Sequence, residues 1–445
     1  MPGAVFRAGG NRVALAPAQF AQGLSGGSTV LPHLQSALGI CVIIATAWAL
    51  SEDRRVFNWR IVAGTLLLQM AIALLLLKLP VLRDALFRLN GVVGALTQAT
   101  GAGTSFIFGY MGGGPAPFAV THPANMINLA FSILPLVMVI SALSAILWHW
   151  RILPVIVHGL AVVLKRSLGL GGAVGLSAAA TVFLGNIEGQ LVVRPYLVRM
   201  SRTELFILMT VGLSVIAGTV FVLYATILKT VLPGALGHLL VASLMSLPAG
   251  VLMARLMVPG PAETDLTEQQ EGVHYRSTMD AMAQGTEDGL KIYLQILAML
   301  IVTTSLMALA NVILAQLPAL GGAPLTLERM LGWLFSPFVW LLGVPWQEAG
   351  AAGSLMGIKV TLTELVAYLR LAAMPAGTLD PRSTQIMVYA MCGFANFASV
   401  GILIAGMSAL IPERRDEVVS LALKALVAGT MASGLSGAMV GLLPL

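Results

Sequence analysis

The sequence has 445 residues, of which 58% are hydrophobic and only 10% are charged, and its formal net charge is +6. Soluble globular proteins carry about 25% charged residues, so this chain has too few charges to cover a soluble surface. The composition therefore excludes a soluble enzyme. It also excludes a nucleic-acid-binding protein, because the 25 Lys and Arg residues form no basic tract.

The cysteines and the amino terminus add two smaller predictions. Cys41 and Cys392 both lie in apolar segments, which predicts buried thiols rather than a disulfide or a metal pair. Residues 1–33 contain no clear apolar core followed by a cleavage site, so we predict no signal peptide.

Apolar runs predict the membrane spans. A helix that crosses a bilayer needs about 20 mostly apolar residues. Eight segments have this character, at residues 34–50, 60–79, 125–148, 204–228, 236–257, 291–316, 383–410 and 418–443. Three further segments, at 81–100, 152–166 and 325–342, have the pattern of amphipathic helices at the membrane interface.

Two other segments, 168–200 and 345–371, predict re-entrant hairpins. Each has glycine clusters and a central Glu between short apolar stretches. A helix of about 10 residues covers only about 15 Å, so each arm reaches mid-membrane and turns back. Irregular backbone at that depth is tolerated only where it faces protein or a water-filled cavity.

Charge bias predicts the orientation and an inverted repeat. With the amino terminus outside, fifteen Lys and Arg residues fall on the inner side and seven on the outer side. The hairpins then enter from opposite sides, and each is followed by two spans. The similar segments VIAGTVF (215–221) and LVAGTMA (426–432) are consistent with a duplication or with chance. Inverted repeats place a substrate site at their interface near mid-membrane.

The predicted fold class is an all-α polytopic membrane protein with about eight transmembrane helices, two opposed hairpins and interfacial helices. Its predicted parts are a tail (1–33), scaffold-type spans and interfacial helices (34–166), a first repeat (167–257), a polar cytoplasmic loop (258–288), a span with an interfacial helix (289–344) and a second repeat (345–445).

Few ionisable groups lie in apolar surroundings, where each costs about 2.5–3.5 kcal/mol on insertion scales. Glu188 lies at the predicted turn of the first hairpin and Glu364 lies in the second. Both carboxylates facing a cavity would accept hydrogen bonds from a polar solute. The structural alternative is that Glu364 forms an ion pair with Lys359 and that Glu188 lies at the surface.

The segment MCGFANFASVGILIAG (391–406) also concentrates polar groups within an apolar run. Gly393 permits unwinding, and Asn396 and Ser399 supply donors and acceptors. Such residues can also be contacts between helices. No phosphate-binding GxxxxGK[ST], HExxH or GxSxG motif occurs, so an enzyme is not predicted.

Three motifs resemble the concentrative nucleoside transporter family. GIKVTLTELVAY (357–368) resembles its Gly-x-Lys, spacer, Asn-Glu-Phe-Val-Ala-Tyr hallmark, and CGFANFASVGILIAG (392–406) is similar to its Cys-Gly-Phe-Ala-Asn-Phe-Ser-Ser-Ile-Gly stretch. GNIEGQLVVRPYL (185–197) resembles its Gly-Gln-Thr-Glu-Ala-Pro-Leu hairpin. The resemblance covers nearly the whole chain after about residue 35.

The resemblance implies a homotrimer in a bacterial-type inner membrane that imports nucleosides by cation symport, without an organic cofactor or nucleic-acid partner. It implies that Glu364, Asn396 and Ser399 contact ribose and that Phe394 lines the site. Asn186, Ile187 and Glu188 occupy the base-contacting positions.

The sequence departs from the family at the first hairpin and beside Glu364. Asn186-Ile187 replaces Gln-Thr, Gly189-Gln190 replaces Ala-Pro, and Thr363 replaces Asn. Base preference, and to a lesser degree the substrate class, is therefore left open. The alternatives are another ribosylated or polar solute, or a membrane nucleoside receptor that does not transport.

The coupling ion is also left open. Thr181 stands where sodium-coupled members have an Asn, which favours protons over sodium. The residues that could supply oxygens to a cation are Thr181, Leu184, Ser214 and Thr219.

Overall fold

The structure is a computed structural model that describes residues 30–120, 128–261, 264, 275–319 and 324–443. The regular elements of these residues are all helices. The predictions for residues 1–29, including the prediction of no signal peptide, lie outside the described residues.

Five α-helices precede the first predicted hairpin. They are α1 (Val30–Ala49), α2 (Trp59–Lys78), α3 (Pro80–Phe108), α4 (Leu136–His149) and α5 (Ile152–Leu168). The predicted interfacial segment 81–100 lies inside the longer α3. Helix α5 buries Val157, Ala161 and Leu164, which are three to four residues apart, so it has the one-sided burial expected of an amphipathic helix.

The first hairpin consists of α6 (Gly172–Leu184), α7 (Asn186–Leu191) and α8 (Arg194–Leu197). Its turn is at Gly185, whose φ of +126° is a conformation that side-chain-bearing residues rarely adopt. The prediction that Glu188 lies at the turn is wrong by three residues, because the chain resumes a helix directly after Gly185 and Glu188 lies in its first turn.

The next three helices are α9 (Arg202–Ser214), α10 (Gly218–Leu228) and α11 (Ala235–Met257). The predicted span 204–228 is therefore interrupted between α9 and α10, where Val215 and Ala217 have extended backbone. Such a break exposes backbone N–H and C=O groups at the helix ends.

The second half begins with α12 (Thr278–Leu314) and α13 (Leu327–Leu342). Helix α12 starts inside the predicted polar loop, because the Ser277 hydroxyl caps it by accepting the Asp280 N–H at 3.1 Å. The chain bends by 115° after α13. The second hairpin then follows as α14 (Trp346–Thr361) and α15 (Glu364–Ala372).

The last helices are α16 (Pro381–Met391), α17 (Phe397–Leu410) and α18 (Arg415–Gly441). The predicted span 383–410 is consequently two short helices separated by residues 392–396. Each hairpin is thus followed by one interrupted span and one continuous helix, which is the predicted repeat.

The two similar segments noted in the sequence, however, are not at equivalent positions in the two repeats. VIAGTVF contains the break between α9 and α10, whereas LVAGTMA lies inside the continuous α18. The counterpart of the first break is 392–396, and the two breaks meet: the Phe394 N–H donates to the Val215 carbonyl at 3.2 Å. A Cβ on Gly393 would lie 2.6 Å from the Ser214 carbonyl oxygen, so this approach requires glycine.

Six helices or interrupted helices of the described residues are long and apolar enough to cross a membrane. They match six of the eight predicted spans. The prediction at 34–50 corresponds to the shorter apolar helix α1. Cys392 is buried as predicted, but Cys41 is exposed, because it lies on the face of α1 opposite the packed Ile40 and Ile43.

Burial separates central from peripheral helices. In the most apolar stretch of Arg202–Leu228, 94% of the residues are buried. In the corresponding stretch of Thr278–Leu314, only 11% are buried. The interrupted span formed by α9 and α10 therefore lies at the centre of the protein, and α12 lies at its edge.

Charged groups predicted to share the inner side are close together. Glu52, between α1 and α2, pairs with Arg202 at 3.0 Å and with Lys424 at 2.6 Å. Arg414 pairs with Glu417 at 2.7 Å and donates to the Met200 carbonyl at the end of the first hairpin segment. This network joins the two repeats at one end of the protein.

Candidate functional site

Glu364 is the first residue of α15, directly after the break in the second hairpin. The Thr363 hydroxyl caps the helix by accepting the Val366 N–H at 3.3 Å. The Glu364 side chain is 4% exposed, and each of its oxygens accepts one hydrogen bond. Tyr224 Oη donates to Oε1 at 2.6 Å and Asn396 Nδ2 donates to Oε2 at 2.9 Å. Each carboxylate oxygen keeps further acceptor capacity for a ligand.

Asn396 links the second hairpin to the break between α16 and α17. It is the N-cap of α17, where its Oδ1 accepts the Ser399 N–H at 2.7 Å while its Nδ2 bonds Glu364. One side chain thus caps a helix and orients a carboxylate. Phe394 and Ser399 lie beside it on the same cavity wall.

Tyr224 was not identified from the sequence. It lies on α10, and its ring packs 5.2 Å from that of Tyr368, whose hydroxyl in turn bonds the Val388 carbonyl at 3.0 Å. A single Tyr in an apolar span has many structural explanations. Its role becomes visible only when α10 and α15 are brought together.

These side chains line a cavity of about 190 Å³. Both hairpins and both breaks contribute to its wall. The predicted site residues that line it are Leu184, Asn186, Ile187, Glu188, Thr219, Glu364, Phe394, Asn396 and Ser399. Another wall was not predicted and comes from α12, with Ile292, Gln295, Ile296, Met299 and Leu300.

The tip of the first hairpin presents mainly one charged group to the cavity. Asn186 accepts a hydrogen bond from Gln190 at 3.2 Å and packs against Gly212, while Ile187 packs against Gly406 of α17. Glu188 is exposed to the cavity. The N–H groups of Ile187 and of Glu188 itself lie against its carboxylate, and no side chain of the described residues donates to it. This places Glu188 in the cavity wall rather than at the protein surface.

The four candidates for cation binding do not form one group. Leu184 and Thr219 line the cavity, whereas Thr181 and Ser214 lie outside it. Thr181 donates to the Ser177 carbonyl at 2.8 Å, and Ser214 donates to the Val211 and Ser246 carbonyls at 3.1 and 3.2 Å. Both hydroxyl protons are therefore used within the protein.

Lys359 does not form the ion pair that was considered for it. Its side chain is fully buried in the last turn of α14, and its Nζ has no hydrogen-bond partner among the described residues. No acidic oxygen of those residues lies within ion-pair distance of it. Glu364 is therefore held by neutral donors rather than by a direct contact with Lys359.

Known proteins share this architecture and sequence. Residues 38–111 and 238–441 match the families described as Na+ dependent nucleoside transporter N-terminus and C-terminus. Residues 130–231 match the family described as nucleoside recognition. Together these matches extend over most of the chain.

Individual relatives align over nearly their full length. A protein of Haemophilus influenzae described as an uncharacterized transporter is 36% identical over 417 residues, covering 92% of this chain and 97% of the relative. The nucleoside permease NupC of Helicobacter pylori is 33% identical over 420 residues, with coverages of 93% and 98%.

Solved structures agree with these alignments. The inward-facing, substrate-bound structure of CNTnw matches with a TM-score of 0.83 at 36% identity, covering 92% of this chain and 97% of that one. Taken together with the two hairpins, these similarities show that the protein belongs to the concentrative nucleoside transporter family, whose members are membrane transporters and not enzymes.

Proposed function

We propose that this protein imports nucleosides by symport with a cation. The observation that carries the proposal is the Glu364 carboxylate, which both repeats orient inside a cavity formed by the hairpins and the helix breaks. A carboxylate with spare acceptor capacity suits a solute with neighbouring hydroxyl groups. The relatives described as nucleoside permeases and sodium/nucleoside cotransporters support the same substrate class.

In this proposal the ribose binds to Glu364, Asn396 and Ser399, with Phe394 beside it. The base extends toward Asn186, Ile187 and Glu188. A solute without ribose hydroxyls cannot form these additional hydrogen bonds to the Glu364 carboxylate, and hydrogen bonds to charged groups contribute about 1.5–3 kcal/mol each. Because Asn186 is held by Gln190 and Ile187 has no polar group, base recognition contributes less than ribose recognition.

We propose protons as the coupling ion. A sodium site needs several oxygens at one point, but the four candidate residues do not meet, because Leu184 and Thr219 line the cavity whereas Thr181 and Ser214 lie outside it. Glu188 faces the cavity without a side-chain donor among the described residues, so it is the carboxylate available to a proton.

The test is uptake of labelled uridine and of other nucleosides into proteoliposomes. A pH gradient and a sodium gradient are imposed separately, and a protonophore collapses the former. We expect accumulation against a gradient that persists in choline and is lost with the protonophore. Accumulation that requires sodium and ignores the protonophore contradicts proton coupling. Binding without accumulation contradicts transport.

We further propose that the protein works as a homotrimer in a bacterial plasma membrane. Helix α12 leaves Ile301, Val302, Leu306, Leu309 and Ile313 exposed, so this apolar face needs lipid or a second copy. Native mass spectrometry from detergent measures the copy number. A trimer supports the proposal, and a monomer contradicts it.

A further inference from the structure

Lys359 is a fully buried ammonium group at the end of α14. Its Nζ donates no hydrogen bond within the described part of the chain. A buried charge without compensation is strongly unfavourable. The carboxyl end of α14 supplies part of the compensation, because Lys359 lies in its last turn. An opposing charge nearby favours the ionised form of such a group.

The acidic residue nearest to Lys359 along the chain is Glu364, five residues further on, and its charge favours the ionised lysine. The two residues lie on either side of the break in the second hairpin, and both are buried. They do not touch, since no ion pair within 4.0 Å joins them and both carboxylate oxygens accept from Tyr224 and Asn396. Opposite charges separated by several ångströms still attract strongly in a low-dielectric interior.

The lack of contact has a physical advantage. An ammonium group bonded directly to Glu364 would occupy acceptor positions that a ligand needs. Lys359 does not line the cavity, whereas Glu364 does. A positive charge behind the carboxylate can therefore balance it electrostatically and leave its cavity side free.

We propose that Lys359 is a positioning residue that keeps Glu364 ionised, and therefore an acceptor for ligand hydroxyls, when the cavity is closed to water. This inference rests on the proposed function for its ligand, but not for the coupling between the two side chains. Without Lys359, the carboxylate binds a proton more readily as it is dehydrated. A protonated Glu364 has lost part of its capacity to accept hydrogen bonds.

The other groups that face Glu364 do not supply a positive charge. They are Tyr224 from α10, Tyr368 from its own helix, and Cys392 and Asn396 from the break between α16 and α17. A phenol or a thiol is either neutral or negatively charged, and an amide does not ionise, so none of these groups can balance a carboxylate. Among the described residues around Glu364, Lys359 is therefore the counter-charge.

The first experiment measures nucleoside binding at equilibrium, without gradients, between pH 5.5 and 8. It compares wild type with Lys359→Met, Lys359→Arg and the control Lys229→Met, which removes an exposed lysine at the end of α10. We expect Lys359→Met to raise the Kd for the nucleoside about tenfold or more above the wild-type value at low pH. The ratio of the two Kd values should fall toward one as pH rises. Lys359→Arg and Lys229→Met should stay within about threefold of wild type. A pH-independent ratio, or no loss, overturns the inference.

The second experiment measures thermal stability and needs no ligand. In a double-mutant cycle, Lys359→Met should destabilise wild type but should be neutral or stabilising in the Glu364→Gln background, where the lysine has lost its counter-charge. If the single Lys359→Met variant does not fold, recovery of folding in the double variant supports the inference. Additive effects, or a double variant that folds no better than the single variant, overturn it. Failure of wild-type nucleoside uptake would overturn the proposed function while leaving this coupling measurable.

Discussion

The Tyr224 hydroxyl donates a 2.6 Å hydrogen bond to Oε1 of Glu364, and these residues belong to different repeats. Tyr224 follows the first hairpin on α10, whereas Glu364 begins the second arm of the second hairpin. The carboxylate is therefore oriented only when the two repeats are assembled. This arrangement makes the site sensitive to relative movement of the repeats.

Tyr224→Phe tests the role of this hydrogen bond. The variant keeps the ring and its packing against Tyr368 but removes the donor to Glu364. We expect the KM for nucleoside uptake to rise roughly tenfold, because hydrogen bonds to charged groups contribute about 1.5–3 kcal/mol. The control Tyr110→Phe removes a hydroxyl from an exposed ring and should transport normally. An unchanged KM in Tyr224→Phe argues against this role.

Gly393→Ala tests the contact between the two helix breaks. The added Cβ would lie 2.6 Å from the Ser214 carbonyl oxygen, so the segments must separate. We expect a destabilisation of about 1–3 kcal/mol together with reduced uptake. Gly401→Ala is the matched control, because a Cβ there meets no atom within 4 Å. Equal melting temperatures and uptake in the two variants would show that the breaks tolerate separation.

The ion pairs of Glu52 with Arg202 and Lys424 predict an acid-dependent contribution to stability. The pKa of Glu52 is lowered from 4.5 to about 2, chiefly by the hydrogen bond from Arg202 and also by Lys424. A lowered pKa contributes stability that is complete above about pH 4.5 and is lost as pH falls toward about 2. Glu52→Gln should therefore reduce stability near neutral pH, by at most about 1 kcal/mol for such exposed groups.

Thermal unfolding of the detergent-solubilised protein checks this prediction between pH 7 and 3. The difference between wild type and Glu52→Gln should be constant down to about pH 4.5 and shrink below it. Glu413→Gln, which removes an exposed carboxylate from the same end of the protein, is the control. A difference that grows toward low pH has the wrong sign for the proposed linkage.

Sugar dependence follows from the arrangement around Glu364. Several nucleosides with different bases should inhibit uptake, whereas free bases and 2′,3′-dideoxynucleosides should inhibit poorly. The reason is that the buried acceptors lose their hydroxyl partners. Competition against labelled uridine measures this directly. Free bases that compete as well as nucleosides would exclude a site anchored on ribose.

Much of the fold could be predicted because membrane spans depend on local composition. Apolar runs located the long helices, and glycine clusters around Glu188 and Glu364 located both hairpins. The exact breaks could not be predicted, because they depend on distant partners such as the Phe394 N–H and the Val215 carbonyl. The similarity between VIAGTVF and LVAGTMA was misleading for the same reason, since Gly/Ala/Val-rich segments can be similar without structural equivalence.

The candidate site was only partly accessible to sequence reasoning. Glu364 and Asn396 are polar groups in apolar surroundings, which is a local signal. Tyr224 and Gln295 carry no such signal, because a Tyr or Gln in a helix is compatible with many environments. Their place in the cavity wall depends on how α10 and α12 pack against the hairpins.

Nucleoside uptake by Glu364→Gln in proteoliposomes is the most direct test of the central claim. The amide is nearly isosteric but lacks the charge and the second acceptor oxygen. With Glu413→Gln as the matched control, we expect Glu364→Gln to abolish uptake while expression and oligomeric state are unchanged. Wild-type uptake rates in the Glu364→Gln variant would contradict the claim that this carboxylate binds the transported solute.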